Sequence, residues 1–191
     1  MTNIMVDLET CGVRAGCAIL SIGAVAFDHT KDKLGKEFYQ VISLQSCIDA
    51  GLHIYQPTMD WWKQQSPEAR KVLTLAEGKS KQVLPLLDAL TKFNTFLNQF
   101  KPLKVFGNGA DFDNAILISA YNSVAIKQGW GAYSGRCYRT IKSEVMPDIK
   151  MPERVGTHHN ALDDAKNQAL HQMIIMRRLD EMKKLWAQNQ K

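Results

Sequence analysis

Ile4-Met5-Val6-Asp7-Leu8-Glu9-Thr10 is an apolar run that carries two acids two residues apart. In an extended strand alternate side chains share a face, so Asp7 and Glu9 project together while Leu8 points the other way, into a core. Two carboxylates side by side on a rigid strand repel each other at neutral pH unless positive charge sits between them. Divalent cations supply that charge, so the run predicts both a core strand and a metal-binding face.

Outward from it, residues 17–28 read as a second strand and 37–42 as a third, with linkers short enough for an antiparallel meander. Residues 57–75 turn helical, with Thr58 or Asp60 as N-cap and Ser66-Pro67-Glu68 opening another turn. From Val83 to about Phe100 apolar residues recur at helical spacing, with Pro85 tolerable only near the start. Residues 103–106 form a short buried strand ending in Gly107-Asn108-Gly109, and a helix from about Phe112 to Tyr121 places Asp113 in its first turn. Residues 136–139 are a weak strand before a short helical piece at 140–144, and a long, increasingly basic helix runs from Ala161 to about Ala187. No repeat or linker interrupts the pattern. It predicts one α/β domain over residues 1–191, a mixed central sheet flanked by helices.

At 191 residues the chain buries a substantial core without staples. No apolar stretch spans a bilayer, and the N-terminus reaches Asp7 with no basic region, so neither a membrane segment nor a signal peptide is expected. Cys11, Cys17, Cys47 and Cys137 lack the spacing of a zinc site or disulfide framework, which points to a reduced, cytoplasmic protein. The net charge is +5 although the conspicuous motifs are acidic, so the positive excess lies elsewhere, as suits an anionic polymer guided toward bound metal.

Two further clusters complete the constellation: Asn108-Gly109-Ala110-Asp111-Phe112-Asp113, and His159-Asn160-Ala161-Leu162-Asp163-Asp164. Alone, an Asp-x-Glu pair is a solvated acidic patch and an Asp at a helix start is a cap. Together Asp7, Glu9, Asp113 and Asp164 offer hard oxygens to two Mg²⁺ or Mn²⁺ ions, which about 4 Å apart activate water and stabilise a leaving oxygen at phosphorus. His159 adds a base that works near neutral pH. Five residues of helix turn through about 500°, so His159 and Asp164 would diverge on one helix. His159 is therefore expected on the loop before it. An i,i+4 surface pair of His159 with Asp163 is the bland alternative.

In order and spacing these motifs resemble the DEDD superfamily of 3′→5′ exonucleases, in its histidine-bearing DEDDh branch. Asp7 to Thr10, Asn108 with Phe112-Asp113, and His159 with Asp164 carry the likeness over nearly the whole chain. The tyrosine branch places Tyr four residues before the last acid, where this chain has Asn160. The stretches 60–66 and 107–113 are similar to those of a small bacterial and bacteriophage exoribonuclease group. The resemblance implies an RNase H-like fold, two Mg²⁺ or Mn²⁺ ions on Asp7, Glu9, Asp113 and Asp164, and His159 as general base. It also implies single-stranded nucleic acid with a free 3′ end as substrate, nucleoside 5′-monophosphates as products, and Thr10 beside the terminal nucleotide. Asn108 and Phe112 belong to the same substrate-binding motif.

Trp61 or Trp62 offers a stacking surface, but adjacent helical residues point about 100° apart and cannot both face one cleft; Trp61 is the substrate-binding candidate, and which of the two faces the cleft is left open. Asp111 reads as a solvated neighbour or cap, and Arg139 and Thr140 as the end of a strand. RNA against DNA is undecided, a homodimer is left open by the likeness, and no membrane partner is expected. A non-catalytic nucleic-acid-binding module on the same fold, or a small-nucleotide phosphatase, are the competing classes.

Overall fold

The computed structural model describes residues 2–101 and 103–190. Its elements in chain order are β1 (Thr2–Thr10), β2 (Ile19–Phe27), β3 (Glu37–Ile42), α1 (Leu44–Asp49), α2 (Gln56–Lys63), α3 (Pro67–Glu77) and β4 (Val83–Leu84). There follow α4 (Leu86–Leu97), β5 (Leu103–Gly107), α5 (Asp113–Ser123), β6 (Gly135–Cys137), α6 (Tyr138–Thr140), a π-helical turn at Ile141–Val145, and α7 (Ala161–Gln188). Six strands form one mixed sheet in the order β4-β3-β2-β1-β5-β6. The expected antiparallel meander is present, with β2 antiparallel to both β1 and β3, while β5 lies parallel to β1.

Alternation along β1 divides the interior. Ile4, Val6 and Leu8 enter the larger core with Phe93, Leu97, Ile116 and Leu117 of α4 and α5. Met5 faces the other way, among Val25, Phe106 and the α7 residues Ala165, Ala169 and Met173. Asp7 and Glu9 share the Met5 face, so they point toward α7. Burial of Ala161, Ala165 and Ala169 at i, i+4 and i+8 gives α7 a stripe of small side chains along which it approaches the sheet closely.

The approach is closest at Gly23, which pairs with Asp7 across the β1–β2 ladder. A Cβ there would lie 2.1 Å from the Ala161 carbonyl carbon and 2.2 Å from the Leu162 nitrogen, both backbone atoms. Only glycine lets the first turn of α7 rest on β2, beside the strand carrying its partner acids. Gly107, at the end of β5, does the same for α5, since a Cβ would meet Asp113 Cβ at 3.0 Å.

Two sequence expectations need correction, the helical start at Val83 and the first N-cap, while Ser66-Pro67-Glu68 opens a new turn as expected. Val83 and Leu84 do not begin a helix; they form β4, parallel to Val41 and Ile42, because a residue before proline is pushed to extended backbone. Pro85 caps α4 instead. The helical stretch 57–75 is two helices, broken at residues 64–66, where Ser66 accepts the Ala69 N–H and starts α3. Its first N-cap is Tyr55, not Thr58 or Asp60, and Asp60 bonds Gln56 and pairs with Lys63 on the exposed face. Helix α1, capped by Ser43, was not anticipated. All four cysteines are free, and among the described residues no helix is long and apolar enough to cross a membrane.

Gly23→Ala should cost about 1–3 kcal/mol or more, as overpacking against backbone does. Gly131→Ala, whose Cβ would meet nothing closer than 3.5 Å, should be nearly neutral. Urea denaturation of both variants checks this, and equal midpoints would mean that α7 does not rest on β2 as described.

Candidate active site

Four segments meet at one end of the sheet. The end of β1 brings Asp7 and Glu9, the turn after β5 brings Asn108 and Phe112, and the start of α7 brings Asp164 and Gln168. The preceding loop brings Arg154, His158 and His159. They line a cleft of about 570 Å³ whose outer wall is Val13, Tyr55, Pro57, Thr58 and Trp61.

Glu9 and Asp164 are buried and Asp113 is fully so; Asp7 is partly exposed. Glu9, His159 and Asp164 present ligand atoms that all lie within 4.8 Å of one another. Asp7 accepts a hydrogen bond from Gln168 Nε2 at 2.7 Å. Asp113 lies behind the cleft floor and accepts the amides of Leu8 at 3.1 Å and Asn108 at 2.6 Å. Asp111 is exposed.

Crowding shows in the acidities. Burial, then repulsion from Asp113, Glu9 and Asp164, holds the Asp7 carboxyl well above its usual range. Glu9 is raised by burial and by Asp164 and Asp113, with Arg154 pulling it partly back. Burial pushes Asp113 up to about 6 against the pull of its two amide donors. These are the signs of a centre short of positive charge. The donor set is hard carboxylate oxygen with one imidazole, which fits a divalent cation of the Mg²⁺ or Mn²⁺ kind.

His159 stands on the loop before α7, as its spacing requires. Its φ of +61° is a left-handed conformation that costs a non-glycine residue about 1–2 kcal/mol. Bonds around it hold the strain: its N–H donates to Asp164 Oδ2 at 3.0 Å, Thr157 N–H to Asp163 Oδ2 at 2.8 Å, and Asn160 caps α7 through Leu162 and Asp163. Asp163 is thereby used on Thr157, not paired with His159. The His159 ring stands edge-on to Trp61, centroids 4.8 Å apart. Burial, then the neighbouring His158, lowers its pKa, which favours the neutral imidazole.

The two tryptophans divide their work. Trp62 is 1% exposed and its Nε1–H donates to the Thr10 carbonyl at 2.9 Å, bracing the end of β1. Trp61 is 40% exposed on the cleft wall. Thr10 also lines the cleft, but its hydroxyl donates to the Gly12 carbonyl at 2.6 Å. Arg139 and Thr140 belong to α6 and its end, not to a strand.

Sequence reasoning missed Arg154 and Gln168. Gln168 was findable, since it lies one helical turn after Asp164. Arg154 sits on an irregular loop with no local signature.

Raised carboxyl pKa values set a sign for stability. The folded chain holds protons that the unfolded chain has released, so without divalent cation stability is highest at low pH, below the ordinary carboxyl values, and falls as pH rises through about 6. Melting temperatures in chelator from pH 4.5 to 8 should decline over this range, and Mn²⁺ should restore the loss. Glu9→Gln, which removes a charge without a hydrogen bond to lose, should raise the chelated melting temperature at pH 7.5. Asp113→Asn should lower it, because the new amide faces one of the two N–H donors. A flat profile would contradict the crowded-acid description.

Residues 2–176 match the family described as the Rv2179c-like 3′-5′ exoribonuclease domain. An exodeoxyribonuclease of Enterobacteria phage T4 is 28% identical over 135 residues, which is 65% of this chain and 57% of the phage protein, less than two thirds of that relative's length. The nuclease domain of 3′hExo, a DEDDh family member bound to rAMP, superposes with a TM-score of 0.61 at 11% identity, over 93% of this chain and 92% of that one. E. coli exonuclease I in complex with a dT13 oligonucleotide gives 0.65 at 10% identity, over 96% of this chain and 43% of the other. These structural likenesses establish the RNase H-like exonuclease fold. By the match over residues 2–176, the chain belongs to the Rv2179c-like 3′-5′ exoribonuclease domain family.

Proposed function

We propose that the protein removes nucleotides one at a time from the 3′ end of single-stranded nucleic acid and releases nucleoside 5′-monophosphates. The observation that carries this reading is the convergence of Asp7, Glu9, His159 and Asp164 in one cleft whose wall is aromatic. Asp7, Glu9, Asp113 and Asp164 hold a pair of Mg²⁺ or Mn²⁺ ions, and bound there the ions supply Lewis acidity at phosphorus and charge stabilisation for the departing 3′ oxygen.

The chain's own groups do the rest. His159 takes the proton of the attacking water, and the Asp164 carboxylate bonded to its backbone N–H fixes its place. Trp61 and Phe112 both line the cleft and flank a terminal base, contacts worth about 1–3 kcal/mol per stacked base. Asn108, whose Oδ1 is buried without a protein partner, accepts a donor from the substrate. Thr10 borders the terminal nucleotide. The family description names an exoribonuclease and the phage relative an exodeoxyribonuclease, so RNA and DNA both enter the assay. A non-catalytic binding module would have no use for carboxylates that repel one another.

Digestion of 5′-labelled single strands with Mn²⁺ should give a ladder shortening from the 3′ end, and a 3′-phosphate should block it. Blunt duplex should be slower, since fraying costs several kcal/mol. Opening of a covalently closed single-stranded circle would overturn the exonuclease reading.

His159→Ala should lower kcat by about 10²–10⁴-fold with KM little changed. Steady-state kinetics beside His158→Ala test it, and a larger loss at His158 would reassign the base.

A further inference from the structure

The cleft faces a polyanion, yet Arg154 is the sole lysine or arginine among the described residues that line it. Its Nη1 donates to Asp164 Oδ1, while the other oxygen of Asp164 takes the His159 N–H. The same guanidinium pulls the raised Glu9 pKa partly back down. Arg154 therefore already neutralises Asp164, one of the carboxylates that would hold a divalent cation. Two cations compete for those oxygens and repel each other.

This is not a loose surface arginine. The next residue, Val155, is clasped by Asn167 of α7: Val155 N–H donates to Oδ1 at 3.0 Å and Nδ2 donates back to the Val155 carbonyl at 2.8 Å. Asn167 is 2% exposed and further fixed on Asp163 O at 2.7 Å. The backbone at Arg154 is thus held to the helix that carries Asp164. Its side chain is 34% exposed, so the guanidinium has room to turn into the cleft. Its planar fork suits carboxylate and phosphate alike, and it keeps its charge at every working pH.

We propose that Arg154 is a two-position residue: it neutralises Asp164 until a divalent cation takes those oxygens, and then pairs with a substrate phosphate. The proposal rests on the cation-dependent nuclease reading above. It makes cation and polynucleotide binding mutually reinforcing, because each favours the same displaced position of one guanidinium, and such coupling is reciprocal.

Two titrations of the full chain test it. In calorimetry at neutral pH without nucleic acid, Arg154→Gln should bind Mn²⁺ about three- to tenfold more tightly than the parent, since no resident cation has to be displaced. In a His159→Ala background with Mn²⁺, Arg154→Gln should weaken binding of a 5′-labelled single strand about tenfold and cut the log–log salt slope by about 0.7. Arg154→Lys, which keeps charge without the fork, should fall between the two in both affinities while keeping the parent's salt slope, and carries the test through the affinities if Arg154→Gln folds poorly. Unchanged or weaker Mn²⁺ binding in the variants would make Arg154 a structural strut and overturn the proposal, as would an unchanged salt slope in Arg154→Gln. If the parent chain itself takes no Mn²⁺, the nuclease reading fails, which is a separate and recognisable result.

Discussion

Mutual repulsion among Asp7, Glu9, Asp113 and Asp164 is the constraint around which the rest of the molecule is arranged. Left to themselves these carboxylates would separate; burial depresses the acidity of Asp7, Glu9 and Asp113, and neighbouring carboxylates add to it at Asp7 and Glu9. The fold prevents separation with backbone. Gly23 lets α7 lie on β2, Gly107 lets α5 close on β5, and the alanine stripe of α7 removes the bulk that would hold helix and sheet apart. Hydrophobic burial on both faces of β1 supplies the free energy that holds the acids in place. The unfavourable charge cluster is concentrated at the cleft where the proposed reaction would receive a cation and a phosphate.

The loop between the π-helical turn and α7 translates this arrangement into chemistry. It carries Arg154, His158 and His159 and has few buried side chains of its own. Its order comes from bonds to α7: Val155 on Asn167, Thr157 on Asp163, His159 on Asp164. His171, buried on the same helix, adds a bond to the Ile149 carbonyl through Nε2 and one with the Tyr138 hydroxyl through Nδ1. One helix therefore supplies Asp164 and positions His159 and Arg154 around it, and a displacement of α7 moves all three together.

Much of this was legible in the sequence where the signal is local. The period-two alternation of β1 gave the shared face of Asp7 and Glu9, and the five-residue step from His159 to Asp164 gave the loop position of the histidine. Val83 and Leu84 were misread because their apolar spacing continues into α4, and only the proline after them separates strand from helix. The division of labour between Trp61 and Trp62 is decided by a carbonyl 52 residues away, at Thr10. Gly23 and Arg154 carry no local pattern at all. Their meaning lies in what packs against them, and that is a property of the folded chain.

The central claim is that the acid cluster and His159 direct water onto phosphorus with departure of the 3′ oxygen. Digestion of a single-stranded oligonucleotide in ¹⁸O-water, followed by mass spectrometry of the mononucleotides, tests it most directly. The account predicts nucleoside 5′-monophosphates each carrying one ¹⁸O in the phosphate, and nucleoside 3′-phosphates or unlabelled 2′,3′-cyclic phosphates would contradict it.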